Sequence, residues 1–506
     1  MTRFSSLAKQ LSSFGEGRLV PGTDPEIQRA CFDSRLVRPG DLFCALPSAN
    51  QCGRAGLAYL PQAIQAGAAA VLHVSAPLAA FELVSPSGEL VPEFRVDLQF
   101  SVADVAGRAA HLLASYPAES LWVGAVTGTN GKSTVVHLMQ AALSAGGVPT
   151  ASIGTLGMHY SGCDASVLNT TPSADLIAEW LKNANKAGAR ALAIEASSHG
   201  LDQRRLAGLP IDAAAWTNLT HDHLDYHDGF ADYAQAKARL VHSLDVGAPA
   251  FLPAGNERIL KACEGARAQR LTWGFDDSTA AIRGRFQGAS ASAPMSLAIA
   301  GELGQAELQS GLVGQHNAEN LLVAWSLLRV AGLSAELAAE KLGQIGCAPG
   351  RLERVAPDSG MHLFVDYAHT PDALCQVLRA LRESFPQATI GLVFGAGGDR
   401  DAAKRAPMGI AAAQGSDWCL VTSDNPRTED PRAIADAVAL GVAQAGAQPE
   451  IQVDRRSAIR EALLRLKHGD VLLVAGKGHE PYQEVDGVRH HFDDREEVLE
   501  AVQCLL

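Results

Sequence analysis

The feature that most constrains the fold is an alternation of short apolar runs with longer helical segments along most of the chain. The apolar runs are bounded by Gly, Pro and Asp and predict strands over Leu121–Val126, Ala191–Ile194, Ala213–Trp216, Leu363–Val365, Ile390–Phe394, Leu420–Thr422 and Val471–Ala475. Helical periodicity predicts helices over Thr134–Ala145, Tyr233–Leu244, Asn317–Val330, Pro371–Arg382 and Ala433–Ala445, and over the Ala-rich stretch Gln65–Ala70. Strands that alternate with helices build mainly parallel sheets, so the sequence predicts an α/β protein.

The chain is too long for a single core. Its 506 residues predict two to four domains. One break follows the loop-rich stretch SPSGELVPEF, and another lies at the Pro-Gly pair of residues 349 and 350. The sequence therefore predicts domains over residues 1–105, 106–348 and 349–506.

Composition and charge exclude several classes of protein. Hydrophobic residues make up 47% and charged residues 19%, the balance of an ordinary soluble protein. A net charge of −13 argues against a general binder of nucleic acid or anionic membranes, although local Arg and Lys clusters remain able to hold a small anionic substrate. The nine cysteines include no CxxC pair, and no signal peptide or membrane-length apolar run is present in the sequence. We expect a cytoplasmic protein with reduced thiols and no membrane insertion.

The clearest chemical signal is the segment TGTNGKST, between a predicted strand and a predicted helix. Glycines let a backbone wrap closely around phosphates, and the helix N-terminus that follows offers free N–H groups. Lys132 is expected to reach the β- and γ-phosphates of a nucleotide, and the Ser133 hydroxyl to bind Mg²⁺. The loop is a variant, because Val126 stands where the standard motif has Gly, and an ordinary glycine turn is the alternative. The predicted nucleotide contacts are Gly128, Thr129, Asn130, Gly131, Lys132, Ser133 and Thr134.

Three further features are candidate metal or catalytic groups. Glu195 lies at the carboxyl end of a predicted strand, where α/β proteins bind ligands. Residues 218–225, with the sequence NLTHDHLD and His223 near the centre, are dense in possible ligands. Lys237 lies on a predicted helix in the sequence YAQAK. From the residues alone, a structural carboxylate, a helix cap and a solvated lysine remain open for these three features.

These motifs, in their order along nearly the whole chain, resemble those of the Mur ligase and folylpolyglutamate synthase superfamily, and within it the Mur ligases of the MurE type. The resemblance implies a small N-terminal α/β domain, a central P-loop domain with a parallel sheet, and a C-terminal Rossmann-like domain. It also implies a monomeric, cytoplasmic enzyme of peptidoglycan synthesis that depends on ATP and Mg²⁺. The alternatives within the superfamily are a lysine-adding ligase and an enzyme similar to folylpolyglutamate synthase.

The resemblance also implies roles around the nucleotide. Glu195 and His223 would hold a second Mg²⁺, assisted by Lys237 in carbamylated form, so that the metal ligands are Ser133, Glu195, His223 and Lys237. The implied catalytic residues are Lys132, Glu195, His223 and Lys237. Asn317 and Asn320 would support the adenine, Arg351 the phosphates and Asp366 the ribose.

Two substrates follow from the same resemblance. For UDP-N-acetylmuramoyl-L-alanyl-D-glutamate, the implied contacts are Ser34 near the UDP, Asn169, Thr170 and Thr171 at the muramyl-peptide, and Ser197, Gln203 and Arg205 around the dipeptide carboxylates. The family usually has an Asp-Gly-His segment where this chain has SANQCGR at residues 48–54, which changes the nucleotide contacts expected there.

The second implied substrate is meso-2,6-diaminopimelate, read from the sequence DNPR. Taken alone, this segment also suits a plain turn, since Asp, Asn and Pro are turn formers. DNPR resembles the motif of diaminopimelate-adding enzymes, whereas lysine-adding relatives lack the Arg because lysine has no distal carboxylate. The implied contacts are Arg400, Asp424, Asn425, Pro426, Arg427, Gly476 and Glu480.

Overall fold

The computed structural model describes residues 2–13, 17–20, 23–47, 55–74, 83–220, 222, 226–275, 279–287, 294–356 and 359–505. In these ranges the strands form three large sheets and two small ribbons. None of the helices described is long and apolar enough to cross a membrane.

The N-terminal part folds around a five-stranded sheet with the order β2-β7-β6-β5-β4. Its elements are β1 (Thr2–Arg3), α1 (Phe4–Ser12), β2 (Gly17–Val20), β3 (Glu26–Ile27), β4 (Ala30–Cys31), β5 (Leu42–Cys44), α2 (Leu60–Gln65), β6 (Ala70–Val74), β7 (Glu93–Val96) and α3 (Val102–Leu113). Helices α1 and α3 bury their apolar faces on one side of the sheet, and α2 covers the other. Residues along the whole of α3 and the following Ala114 belong to this core, which therefore extends past the predicted limit at residue 105.

The central part holds a ten-stranded sheet with the order β10-β9-β11-β8-β12-β13-β14-β15-β16-β17. Its elements are β8 (Trp122–Thr127), α4 (Lys132–Ala145), β9 (Thr150–Gly154), β10 (Gly157–His159), α5 (Ala174–Lys186), β11 (Ala191–Glu195), α6 (Ser198–Asp202), β12 (Ala213–Trp216), α7 (Gly229–His242), β13 (Pro249–Pro253), α8 (Glu257–Ala262), β14 (Gln269–Phe275), β15 (Ile282–Gln287), β16 (Met295–Gly301), β17 (Gly304–Ser310), α9 (Gln315–Val330) and α10 (Ala335–Gly343). Helices α4, α9 and α10 cover one face, while α5, α7 and α8 cover the other. Burial on both faces explains why the parallel strands are apolar throughout.

The C-terminal part holds a six-stranded sheet with the order β18-β19-β23-β20-β21-β22. Its elements are β18 (Glu353–Val355), β19 (His362–Asp366), α11 (Pro371–Ser384), β20 (Ile390–Phe394), α12 (Arg405–Gly415), β21 (Trp418–Val421), α13 (Pro431–Gln444), β22 (Glu450–Ile451), α14 (Arg455–Arg465), β23 (Val471–Ala475), β24 (Tyr482–Val485), β25 (Val488–His491) and α15 (Asp494–Leu505). Helices α11, α12 and α13 pack on one face, and α14 and α15 on the other.

This architecture confirms the predicted α/β class, and each predicted strand overlaps an observed one. The helix predicted over Gln65–Ala70 is wrong. Helix α2 ends at Gln65, Gly67 turns the chain with a φ of +102°, and Ala70 is the first residue of β6. Alanine's high helix propensity was overridden because Ala70 packs against the sheet core, where it is fully buried.

The register of the sheets gathers the predicted motifs at shared edges. In the central sheet, Glu195 at the end of β11 lies beside Val126 of β8, and Trp216 at the end of β12 lies beside Thr127. In the C-terminal sheet, the last residue of β23, Ala475, pairs with the last residues of β19 and β20. Parallel strands bring their carboxyl ends to one edge, which is where ligands bind in this type of sheet.

Candidate active site

The loop between β8 and α4 has the positive φ values and the close backbone packing that are typical of phosphate-binding loops. Gly128 and Gly131 have φ values of +149° and +87°, a region that favours glycine. An added Cβ at Gly128 would meet the Thr217 hydroxyl, and one at Gly131 would meet the Asn320 amide. The loop is further fixed by Asn130, whose N–H donates to Asn218 Oδ1 at 2.9 Å. An ordinary glycine turn does not account for this packing.

Two lysines converge on the loop. Lys132 Nζ donates to the carbonyls of Gly128 and Thr129, both at 2.8 Å, and Lys237 Nζ donates to the same Gly128 carbonyl at 2.8 Å. Burial lowers the pKa of Lys132, against the opposing charges of Glu195 and Asp222. Burial and the nearby Lys132 lower the pKa of Lys237 well below its ordinary value. With 1% exposure, Lys237 is not a solvated helix lysine.

Ser133 and Glu195 face one cavity of about 340 Å³. The Glu195 carboxylate, 1% exposed, accepts hydrogen bonds from the N–H of Thr155 at 2.8 Å and from its hydroxyl at 3.3 Å. A hydroxyl and a carboxylate are oxygen ligands of the kind that Mg²⁺ prefers. These two residues therefore fit a divalent cation beside the phosphate loop.

The remaining predicted metal ligand, His223, lies outside the described residues, as does the loop of residues 48–54. Within the described ranges, no group of three or more His, Cys, Asp or Glu side chains is arranged around a possible metal. Asp222 is described, and its charge acts on both Lys132 and Lys237.

Arg351 of the C-terminal part reaches across to the phosphate loop. Its Nη2 donates to the Ser133 hydroxyl at 3.2 Å, and its guanidinium lies 4.7 Å from the Tyr367 ring centre. Asp366 is buried, and its carboxylate accepts from the N–H groups of Leu352 at 2.6 Å and Ala368 at 2.7 Å. Asp366 thus fixes the loop that carries Arg351.

Asn317 and Asn320, the predicted adenine supports, lie buried in the first turns of α9. Asn320 Nδ2 donates to Asn317 Oδ1 at 3.2 Å, and Asn317 Nδ2 donates to the Val313 carbonyl at 2.8 Å. Because Asn320 also packs against Gly131, this pair supports the phosphate loop directly.

A larger cavity of about 760 Å³ lies between the N-terminal and central parts. Asn169, Gln203 and Arg205 line it, together with Arg35 and Arg239. Arg35 and Arg239 are paired with Asp33 and Asp202 in the same lining, which leaves Arg205 as the arginine that best suits an anionic ligand. Ser34 is adjacent rather than lining: its hydroxyl donates to Gln62 Oε1 at 3.0 Å, while its neighbours Asp33 and Arg35 face the cavity.

Thr170 and Thr171, which follow the cavity-lining Asn169, belong to a hydrogen-bonded network beside this cavity. Thr171 donates to the Glu195 carbonyl at 2.8 Å and lies 3.1 Å from the Ser197 hydroxyl. Thr170 lies 3.0 Å from the Thr155 hydroxyl, which also contacts Glu195. These contacts join the predicted muramyl-peptide residues to the predicted metal carboxylate.

Arg205 lines the cavity and is hydrogen-bonded to Thr171 of this network. Its Nη1 donates to the Thr171 carbonyl at 2.8 Å, and its Nη2 donates to Gln203 Oε1 at 2.7 Å. Burial lowers the pKa of Arg205, and within the described part of the chain it forms no salt bridge with a carboxylate. A half-buried guanidinium held by neutral acceptors suits an incoming carboxylate.

The segment DNPR lies at the carboxyl edge of the C-terminal sheet. Asn425 Nδ2 donates to Glu480 Oε2 at 2.7 Å, and Asn425 Oδ1 accepts from the Glu484 N–H at 2.9 Å. Gly476 has a φ of +116°, and an added Cβ there would meet the Asp424 carboxylate. The segment is therefore more than a turn, because it is tied to the loop that carries Glu480.

Arg427 and Arg400 flank this edge. Arg427 has a left-handed φ of +52°, and its Nη1 donates to the Gly398 carbonyl at 2.6 Å. Arg400 is exposed, and a Cβ at Gly397 would lie 3.1 Å from Arg427 and 3.9 Å from Arg400, so both arginines border one glycine. Burial and the charge of Asp424 raise the pKa of Glu480, opposed by Lys477, Asn425 and Arg427.

Several residues at the site have no counterpart in the sequence analysis. Asp372 of α11 accepts from Asn130 Nδ2 at 3.3 Å and from the Thr220 hydroxyl at 3.0 Å, joining the C-terminal part to the phosphate loop. Burial lowers the pKa of Lys404, and the negative charges of Asp222 and Asp424 oppose that shift. Asp372 directly follows the sequence DYAHTP, so that motif could have indicated it as a site residue. Around Lys404 the sequence shows only charged residues before a helix, which do not indicate a role in the site.

Comparison with known proteins agrees with this arrangement. A family model described as the Mur ligase middle domain matches residues 126–328, and one described as the Mur ligase, glutamate ligase domain matches residues 350–478. The folylpolyglutamate synthase of Mycobacterium tuberculosis shares the fold, with a TM-score of 0.61 at 20% identity over 74% of this chain and 92% of that one. These two matches, one to the phosphate-loop domain and one to the domain that follows it, define an ATP-dependent ligase of the Mur class.

Closer relatives refine that class. The UDP-N-acetylmuramoyl-L-alanyl-D-glutamate–2,6-diaminopimelate ligase of Gloeobacter violaceus is 40% identical over 95% of this chain and 94% of its own length. The ligase of that name from Chromobacterium violaceum is 37% identical over 94% of each protein. A solved structure with that name has a TM-score of 0.65 at 33% identity and covers 95% of both chains. The chain belongs to the Mur ligase family, among the ligases of the MurE type.

Proposed function

We propose that this enzyme joins meso-2,6-diaminopimelate to UDP-N-acetylmuramoyl-L-alanyl-D-glutamate and converts ATP to ADP and phosphate in the same reaction. The observation that carries the proposal is the edge of the C-terminal sheet, where Asn425 donates directly to Glu480, and Arg427 of the same loop as Asn425 donates to the Gly398 carbonyl. A guanidinium beside a carboxylate suits the distal carboxylate and ammonium of diaminopimelate. The chain works in peptidoglycan synthesis, and we infer a cytoplasmic monomer.

In the proposed mechanism the γ-carboxylate of the D-glutamyl residue attacks the γ-phosphorus of ATP, forming an acyl phosphate and releasing ADP. The amine of diaminopimelate then attacks the acyl carbon and loses a proton, and the tetrahedral intermediate expels phosphate. Arg205 would orient the muramyl-peptide, while Lys132 and Arg351 would stabilise charge on the transferring phosphoryl group. Preorganised charges of this kind supply most of the rate in phosphoryl transfer.

We also propose that Ser133, Glu195, His223 and a carbamylated Lys237 hold Mg²⁺. Bound Mg²⁺ would neutralise phosphate charge during transfer. The lowered pKa of Lys237 supports the carbamate, because a neutral amine reacts with CO₂ to give an anionic carbamate and a proton. Asn317, Asn320 and Asp366 would complete the nucleotide site by holding the loops around it. Approximate domain limits of 1–105, 106–348 and 349–506 remain part of the proposal, with α3 packed on the first domain.

The decisive experiment compares diaminopimelate with lysine as the amino-acid substrate. Lysine would leave Arg427 without its carboxylate, and a hydrogen bond to a charged group contributes about 1.5–3 kcal/mol. We expect kcat/KM for diaminopimelate to exceed that for lysine by about tenfold to a hundredfold. Arg427→Ala should lose most of the diaminopimelate activity and leave the KM for ATP and for the UDP substrate nearly unchanged.

Arg432→Ala is the matched control, because Arg432 is an exposed arginine of α13 that pairs only with Asp436 in the part described. It should retain normal kinetics. Equal use of lysine and diaminopimelate by the unmodified enzyme would contradict the specificity, although the ligase activity would stand.

A further inference from the structure

A fully buried ion pair lies beside the amino-acid loops. Arg455 is the first residue of α14, and Asp494 is the first residue of α15. The guanidinium donates from Nε to Oδ1 and from Nη2 to Oδ2 of Asp494, each at 2.7 Å, and both side chains are 0% exposed. Burying two charges is costly, and apolar residues of similar size often stabilise a protein as well, so the pair calls for a reason other than stability.

Helix stability does not supply that reason. A positive side chain in the first turn of a helix opposes the helix dipole. The N-terminus of α14 is already capped by Asp454, whose carboxylate accepts from the Ser457 N–H at 2.8 Å. Arg455 is therefore placed against the local preference of its own helix.

The remaining N–H groups of Arg455 reach the ends of two strands. Nη1 donates to the Ser423 carbonyl at 3.3 Å, and Nη2 donates to the Ala475 carbonyl at 2.9 Å. Ser423 directly precedes Asp424, and Ala475 directly precedes Gly476. One planar guanidinium thus ties together the two loops that carry DNPR and Glu480.

The charge of Arg455 acts on the same loops. Burial alone would lower the pKa of the guanidinium, but Asp494 first, and then Asp424 and Glu480, raise it above its ordinary value. Arg455 is therefore a permanent cation in the field of both carboxylates of the amino-acid site. For Glu480, whose pKa is raised by burial and by Asp424, a nearby cation favours the ionised form that an ammonium requires.

We propose that Arg455 is a positioning residue for the amino-acid substrate: it fixes the spacing of the two loops without touching the substrate. The inference rests on the proposed function, because it takes these loops to be the ones that bind diaminopimelate. Asp494 serves as the anchor that orients the guanidinium.

The adjacent residue supplies a matched control. Arg456 also links α14 to α15, donating to Glu497 at 2.7 Å and 2.6 Å, but within the described part of the chain its side chain donates to neither loop. Arg455→Lys keeps the charge and loses the planar fork, so the KM for diaminopimelate should rise by about tenfold or more. The KM for ATP and for the UDP substrate should stay within about twofold, and Arg456→Lys should leave all three unchanged.

A pH profile separates positioning from a merely structural role. In Arg455→Gln the acid limb of kcat/KM for diaminopimelate should move to higher pH, because Glu480 loses a nearby cation. Arg456→Gln should not move it. A folded Arg455→Lys with an unchanged KM for diaminopimelate, or an equal rise in all three KM values, would overturn the proposal.

If the Arg455 variants do not fold, the KM for diaminopimelate is measured in Asp494→Asn instead. The amide of that variant keeps an acceptor for Arg455 but removes the charge that anchors the guanidinium. A raised KM for diaminopimelate alone supports the proposal, and a normal one refutes it. Failure of the proposed function is distinguishable, because it would show in the unmodified enzyme as preference for another amino acid. The KM for that amino acid would then be measured in the same variants.

Discussion

At the scale of single residues, Lys237 shows how strongly burial changes chemistry. Its sequence position on a polar-looking helix suits an exposed ammonium. In the fold it is 1% exposed, lies 4.6 Å from the Tyr233 ring centre and shares the Gly128 carbonyl with Lys132. Two ammonium groups on one carbonyl in a dry site repel each other, which favours the neutral amine at Lys237.

The first residue-scale prediction concerns that amine. Lys237→Ala should reduce ligation by about a hundredfold or more, because the site loses a preorganised charged group. Added bicarbonate should not restore activity, whereas acetate should restore part of it by occupying the vacated space. The measurement is ADP release with saturating substrates. Lys186→Ala, which removes an exposed helix lysine, is the control, and near-normal turnover in Lys237→Ala would refute the carbamate.

At the scale of secondary-structure elements, side-chain contacts link neighbouring strands in addition to the backbone hydrogen bonds. In the N-terminal sheet, His73 of β6 lies 2.6 Å from the Glu93 carboxylate of β7, and its other ring nitrogen lies 2.8 Å from the Val74 carbonyl. Arg95 completes the cluster with hydrogen bonds to Glu93 at 3.0 Å and 2.7 Å. Burial opposes the Glu93 charge, but His73 and Arg95 prevail and lower its pKa to about 2.

This cluster predicts an acid-sensitive element. Because the folded pKa of Glu93 lies below its unfolded value of about 4.3, its stabilising effect is present above that value and is lost as pH falls towards about 2. Glu93→Gln should lower the Tm at pH 7, and the difference from the unmodified protein should shrink between about pH 5 and pH 3. Thermal unfolding across that range is the measurement.

Glu89→Gln is the control for this effect, since Glu89 is exposed. It should shift the Tm little at any pH. A Tm difference for Glu93→Gln that stays constant between neutral and acid pH would show that the carboxylate charge does not stabilise the fold.

At the scale of the whole molecule, the C-terminal domain contacts the phosphate loop of the central domain. Two contacts join them: Arg351 to Ser133 at 3.2 Å, and Asp372 to Asn130 at 3.3 Å. Asp372 also accepts from the Thr220 hydroxyl at 3.0 Å. Both contacts involve residues at or beside the loop predicted to hold ATP, so we expect nucleotide binding to favour the closed arrangement of the two domains.

The whole-molecule prediction is that Asp372→Ala weakens closure. Loss of hydrogen bonds to a charged group, at about 1.5 kcal/mol or more, should reduce kcat/KM for ATP by about tenfold. Small-angle scattering with a nonhydrolysable ATP analogue should show a larger radius of gyration than the unmodified enzyme. Gln376→Ala removes only a partner within α11 and should preserve both values. An unchanged radius and unchanged kinetics in Asp372→Ala would show that the contact does not govern closure.

The sequence by itself determined the α/β class, the phosphate loop, and the seven strands and five helices of the central and C-terminal parts that it predicted correctly. Each of these depends on local periodicity or on a short run of residues with special backbone needs. It also indicated DNPR and Glu480 as parts of one amino-acid site. Only the tertiary structure decided that Lys237 is buried, that Asp372 contacts the phosphate loop, and that Arg455 joins the ends of β21 and β23. The reason is physical: burial and contacts between residues distant in sequence arise from how sheets stack and domains meet, and no local pattern records them. The wrong helix prediction over Gln65–Ala70 has the same cause. Its alanines favour a helix locally, but packing against the sheet core places Ala70 in β6.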